Sequence, residues 1–144
     1  LSSKAAVLAV DHGTKKTGFA STDALRTAQW PLDCWHGPGD SDELIDHIRE
    51  LVEERSAGTV LVGLPLNMDS TEGGQAKEVR AFIERVRERL DGVRVIAWDE
   101  RLTTRSAEDL LHEAGFHGDD MKSRRDSWSA LVLLRDWIET GEPS

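Results

Sequence analysis

A single cysteine, Cys34, stands among 144 residues. One thiol excludes an internal disulfide and any cysteine-cluster metal site, and it fits a reducing compartment. Tyrosine is absent, and the five tryptophans form no repeat of the kind that stacks single-stranded bases. No apolar run approaches the roughly 20 residues of a membrane span. The first residues, LSSKAAVLAV, lack the basic start, long apolar segment and cleavage pattern of a secretory leader, so a cytoplasmic location is expected. Positive charge is in deficit, with 18 Lys and Arg against 27 Asp and Glu and a net charge of −9. That balance argues against a protein that coats nucleic acid through bulk electrostatics, while leaving room for a small local basic rim. The length and an apolar share of 38% fit one compact domain, taken as residues 1–144.

Periodicity sets out the elements. AAVLAV at 5–10 reads as a strand covered on both faces, followed by the basic turn DHGTKKTG and a second strand at GFAST. LRTAQWPL at 25–32 is expected as a third strand, with Pro31 near its end, and DCWHGPGD as a loop. Asp40 or Ser41, with Glu43, caps a helix whose stripe is Leu44, Ile45, Ile48, Leu51 and Val52. Gly58 ends it, and TVLVGL at 59–64 is the next strand. After the polar loop PLNMDSTEGG comes a helix carrying Ala76, Val79, Phe82, Ile83, Val86 and Leu90, then the strand VRVIAW at 93–98. A third helix capped by Thr103 or Thr104 carries Leu110 and Leu111, a final helix spans 124–139, and residues 141–144 form a frayed tail. The order β-β-β-α-β-α-β-α-α implies an α/β fold: a meander, then parallel crossovers, in one mixed sheet with helices on both faces.

Three stretches each set a carboxylate at the end of an apolar segment. Asp11 follows the first strand, where ligands of α/β sheets gather, though an aspartate there also caps the amides of Gly13 or Thr14. Asp99 and Glu100 follow VIAW. Neighbours on a strand face opposite sides, so only one of them enters a shared site. Asp126 forms a capping box with Ser123, yet it also shares a helical face with Ala130, Leu133 and Trp137. Three converging carboxylates would hold one or two Mg²⁺ or Mn²⁺ ions, because oxygen donors suit hard cations. Each carboxylate has basic neighbours: Lys15 and Lys16 after Asp11, Arg101 and Arg105 after Glu100, and Lys122, Arg124 and Arg125 before Asp126. Together these would form a phosphate-binding rim. Asn67 either touches substrate or holds its loop. His12 reads as a surface or supporting group, facing away from Asp11.

Taken end to end, from VLAVDHGTKKTGFA to VLLRDWIE, the chain resembles the YqgF family of RuvC-like nucleases in the ribonuclease H-like superfamily. GLPLNMDSTEGGQAKEVRAF and DERLTTRSAEDLLHEAG carry the resemblance most specifically. The resemblance implies a five-stranded mixed sheet with its first three strands antiparallel, and an acidic triad of Asp11, Glu100 and Asp126. It implies metal-dependent phosphodiester hydrolysis, in 5′-end maturation of bacterial pre-16S ribosomal RNA or in resolution of branched DNA. The partners would be structured RNA, including ribosomal assembly intermediates, or a DNA junction, with the protein a monomer or weak homodimer. His12 and Thr17 depart from the family pattern, which has small or branched apolar residues there. The last motif, KSRRDSWSA, has arginines and a tryptophan where a lysine-rich approach is usual.

Overall fold

The structure, a computed structural model, describes residues 5–67, 69, 71–100, 107–116 and 118–144, apart from the side chains of residues 107, 108, 119–124 and 126. Five strands, β1 (Ala6–Asp11), β2 (Lys16–Thr22), β3 (Gln29–His36), β4 (Ala57–Leu64) and β5 (Arg94–Asp99), form one sheet in the order β3-β2-β1-β4-β5. β1 pairs antiparallel with β2, and β2 with β3, while β4 and β5 run parallel to β1. The helices are α1 (Asp42–Arg55), α2 (Gly74–Arg89), α3 (Ala107–Glu113) and α4 (Asp119–Glu139).

The period of two sorts side chains between two cores. Leu8, Val10, Phe19, Val60, Val62 and Val95 pack under α1 and α2. Val7, Ala9, Ala20, Leu61, Ile96 and Trp98 pack under α4, against Ala130, Leu133, Leu134 and Trp137. Helices therefore cover both faces, as the pattern implied. α3 lies on α4 rather than on the sheet, with Leu110 against Val132 and Trp128.

Three boundaries differ from the sequence reading. The third strand is Gln29–His36 rather than 25–32, so much of the expected DCWHGPGD loop is strand. Pro31 sits inside it, which is tolerated because β3 is a sheet edge. Residues 23–28 are instead a turn, with Arg26 at φ 62° and Ala28 N donating to the Asp23 carboxylate. Ser41 alone caps α1, accepting from Leu44 N, and Ser56 ends it in the left-handed conformation, so Gly58 already belongs to β4. The third difference matters most for the site: α4 begins at Asp119, and Ser123 and Asp126 lie within the helix rather than at its start. No proline or glycine interrupts residues 119–140, so a local capping pattern yields to a continuous helix. The helix dipole, which acts within the first turn, gives Asp126 no special support there.

The C-terminal end of α4 is anchored at the start of the parallel strands. Arg26 forms a two-pronged ion pair with Glu142, Nε to Oε2 and Nη2 to Oε1, both 3.0 Å, and its Nη1 donates to the carbonyl of Ala5 at 2.7 Å. Trp137 Nε1 donates to Pro143 O at 2.9 Å. Residues 141–144, expected above as a frayed tail, thus make specific contacts in this structure. With its end pinned beside Ala5, Gly58 and Thr59, α4 runs back toward the C-terminal ends of β1 and β4.

Candidate active site

The site is built by strand parity. On β1, Val7 and Ala9 face α4, so Asp11 does too. On β5, Ile96 and Trp98 face α4, and Glu100, immediately after the strand, continues that series while Asp99 belongs to the other. On β4 the same face carries Leu61 and then Gly63. Val10 is level with Val62 and Gly63 with Trp98, so Asp11 comes level with Gly63 at the strand ends, and Glu100 follows two residues beyond Trp98 with its side chain against Gly63.

Glycine at 63 leaves the room that Glu100 and α4 use. A Cβ built there would lie 2.5 Å from Glu100 Oε1 and 2.7 Å from Leu133 Cδ1. The Glu100 carboxylate and the Leu133 side chain of α4 thus occupy the space a side chain would take. Gly63 does not adopt a positive φ, so space alone, not backbone conformation, excludes larger residues. The close approach was not legible in sequence, because it joins β4, α4 and the residue after β5.

Burial pushes the Glu100 carboxyl above the usual carboxylate range, and the neighbouring Asp99 charge adds to the rise. Glu100 is therefore a half-buried acid whose charge no group among the described residues is seen to offset. A divalent cation would offset that charge, and carboxylate oxygens are the donors Mg²⁺ and Mn²⁺ prefer. The donor chemistry fits. Among the described residues no three His, Cys, Asp or Glu side chains gather as a metal site, and the Asp126 side chain lies outside them. Its backbone sits in α4 two turns before Leu133, on the Ala130 and Leu133 face.

The other expected site residues divide. Lys15 and Lys16 are exposed on the turn after Asp11. Arg125 is exposed on α4, whereas the side chains of Lys122 and Arg124, and all of Arg101, Arg105 and the expected caps Thr103 and Thr104, lie outside the described residues. Asn67 holds its own loop: its Nδ2 donates to Thr71 Oγ1 at 3.0 Å and its N–H to Thr71 O at 2.9 Å. His12 does face away from Asp11, but it is not a simple surface group. It is half-buried and stacked on Phe82, with ring centroids 4.2 Å apart, and its Nε2–H donates to Gly39 O at 2.8 Å. Burial holds its pKa below the usual histidine range, against the opposing effects of the Gly39 bond and the Glu78 and Asp40 charges.

The mixed sheet and its flanking helices define a ribonuclease H-like fold. The chain is similar to Thermus thermophilus RuvC, solved with a Holliday junction substrate, at TM-score 0.58 and 13% identity over 96% of this chain and 97% of that one. The fowlpox virus resolvase, solved with Holliday junction DNA, superposes at TM-score 0.57 with 11% identity over 94% of this chain and 97% of that one. The model of the family described as "RuvX: Holliday junction resolvase" matches residues 5–140, and the chain belongs to that family. Its curated relatives include proteins named "Putative pre-16S rRNA nuclease". One from Anaeromyxobacter sp. strain Fw109-5 is 39% identical over 92% of this chain and 95% of that protein. Another, from Acetivibrio thermocellus, is 34% identical over 93% and 95%.

Proposed function

We propose that residues 1–144 act as one metal-dependent endonuclease domain that hydrolyses phosphodiester bonds during 5′-end maturation of pre-16S ribosomal RNA. The observation that supports this is the half-buried Glu100 carboxylate in the space left by Gly63, on the sheet face to which strand alternation also assigns Asp11. Asp11, Glu100 and Asp126 are assigned as metal ligands and catalytic residues, the last supplied by α4. Mg²⁺ or Mn²⁺, when bound, would activate water and offset charge on the leaving oxygen. The chain's own groups do the rest. The carboxylates fix the ions' position. Lys15, Lys16, Arg101, Arg105, Lys122, Arg124 and Arg125 form a rim that orients the phosphate backbone, and Asn67 supports that rim by ordering its loop. Strong local attraction at the rim works against a chain whose net charge is −9, so binding is salt-sensitive and short in reach.

The relatives' names favour the RNA substrate, with ribosomal assembly intermediates as the setting and the bacterial cytoplasm as the compartment. Resolution of branched DNA is the second reading, favoured by the family description; as a monomer or weak homodimer, the protein would need pairing on the junction to cut both strands. A noncatalytic role in ribosome assembly is the third outcome of the same test. Mn²⁺-dependent cleavage of a pre-16S 5′-leader RNA and of a four-way DNA junction is compared, with Asp11→Asn as the blank. Site-specific RNA cutting that the variant lacks supports the proposal. Symmetric junction cutting replaces it with resolvase chemistry, and cleavage of neither replaces it with the noncatalytic role.

A further inference from the structure

On the face of the sheet opposite the carboxylates lies a cleft of about 300 Å³, between α2 and the turns that follow β1 and β3. That volume is at the small end of ligand pockets. Glu78, Ala81, Phe82 and Arg85 line one wall, at the i, i+3, i+4 and i+7 positions of a single helical face. Thr14, Gly39 and Asp40 line the other. His12 lines the cleft as well, and it is fixed twice. Phe82 backs its ring at 4.2 Å and 26°, and Gly39 O takes the hydrogen of its Nε2 at 2.8 Å. A Cβ at Gly39 would lie 2.7 Å from that nitrogen, so glycine is needed for the contact.

A flat ring held this way is a platform for an unpaired base. The groups above it decide which base. Arg85 is engaged by Asp40 O at 2.6 Å and Asp42 Oδ1 at 2.8 Å, which leaves the carboxylates of Glu78 and Asp40 as the rim's exposed acceptors; Glu78, one turn before Phe82 on α2, is the one beside the stacked rings. A carboxylate only accepts, through two oxygens. Among the common bases, guanine alone presents two adjacent N–H donors, at N1 and N2, that pair with it. Ala81, small and exposed, leaves the wall open. The cleft also lies at the right place on the chain. Asp11 and His12 are consecutive and face opposite sides, so a nucleic-acid strand crossing the end of β1 could present a phosphate to one and a base to the other. Lys15 and Lys16 directly follow Thr14 of the cleft and suit the intervening backbone.

We propose that this cleft is a subsite for one unpaired guanine of the nucleic-acid substrate, the base stacked on His12 and its N1–H and N2–H edge held by Glu78. The inference rests on the nuclease reading for its substrate class. Its test uses labelled uridine pentamers carrying a central guanosine, a central inosine or neither, with binding followed by fluorescence anisotropy at low salt in Asp11→Asn, which removes cleavage. The guanosine strand should bind roughly tenfold tighter than the all-uridine strand, the discrimination expected of a two-point contact, with inosine between them. Glu78→Gln, which replaces one acceptor by a donor, and Ala81→Trp, which fills the cleft, should each abolish the preference. Equal binding of the three strands, or a preference that survives both substitutions, overturns the subsite. Metal-dependent cleavage by the parent protein without guanosine preference removes the subsite and leaves the nuclease reading. A guanosine preference in a protein that cleaves nothing does the reverse.

Discussion

Gly63→Ala adds one methyl group where Glu100 and α4 already meet. The new carbon would lie 2.5 Å from Glu100 Oε1, 3.1 Å from Glu100 Cγ and 2.7 Å from Leu133 Cδ1. Ordinary contacts begin near 3.4 Å, so the carboxylate oxygen must retreat by about 0.9 Å, the difference between 3.4 and 2.5 Å. Overpacking of this kind costs about 1–3 kcal/mol of stability, measurable by urea denaturation. The functional loss should be larger than that cost suggests, because a displacement near 1 Å in a catalytic constellation lowers rate by about 100-fold. The assay is Mn²⁺-dependent cleavage, paired with Mn²⁺ affinity from calorimetry. Adding Leu133→Val removes the apolar collision and keeps the carboxylate one. The double variant should therefore recover stability but not activity. If Gly63→Ala loses stability while cleavage and metal affinity stay within threefold of the parent, Glu100 is not acting from where the structure places it.

Three further outcomes follow from other contacts. Because burial raises the folded-state pKa of Glu100, its ionised form opposes folding: metal-free Glu100→Gln should be more stable than the parent at neutral pH, with the gain shrinking as pH falls through the raised pKa and vanishing below the ordinary carboxylate range, as denaturation across pH will show. Arg26→Ala removes the Glu142 pair and the bond to Ala5 O, with Arg26 and Glu142 side chains only 11% and 19% exposed; it should cost about 3 kcal/mol in urea denaturation, and a loss below about 1 kcal/mol would refute the anchoring of α4. Thr17 is fully buried and its hydroxyl has no partner among the described residues, so Thr17→Val should stabilise by about 1 kcal/mol in thermal or chemical denaturation.

What the sequence made legible was whatever strand alternation controls. AAVLAVD sets Asp11 at a strand end, and VIAWDE restricts the site to one of Asp99 and Glu100, with the family resemblance and not the alternation pointing to Glu100; GFAST and TVLVGL supply the neighbouring strands. Signals with a purely local range were less secure. Ser123 and Asp126 imitate a helix start, yet α4 already runs through them from Asp119. DCWHGPGD has the composition of a loop, yet pairing with β2 carries β3 through to His36. The role of Gly63 and the His12–Phe82 stack were out of reach, since each depends on residues far apart in the chain brought together by helix packing.

The division of the sheet into two faces also constrains how such a chain can change length. Adding or deleting one residue within β1 would exchange Asp11 and His12, turning the imidazole toward α4 and the carboxylate toward α2. The same change in β5 would exchange Asp99 and Glu100. Insertions in the turn at residues 23–28 or after β4 carry no such penalty, because they alter the path between strands and not the parity within them. Length variation compatible with an intact site should therefore accumulate in the turns, while the six residues of β1 and the six of β5 are held to a fixed count.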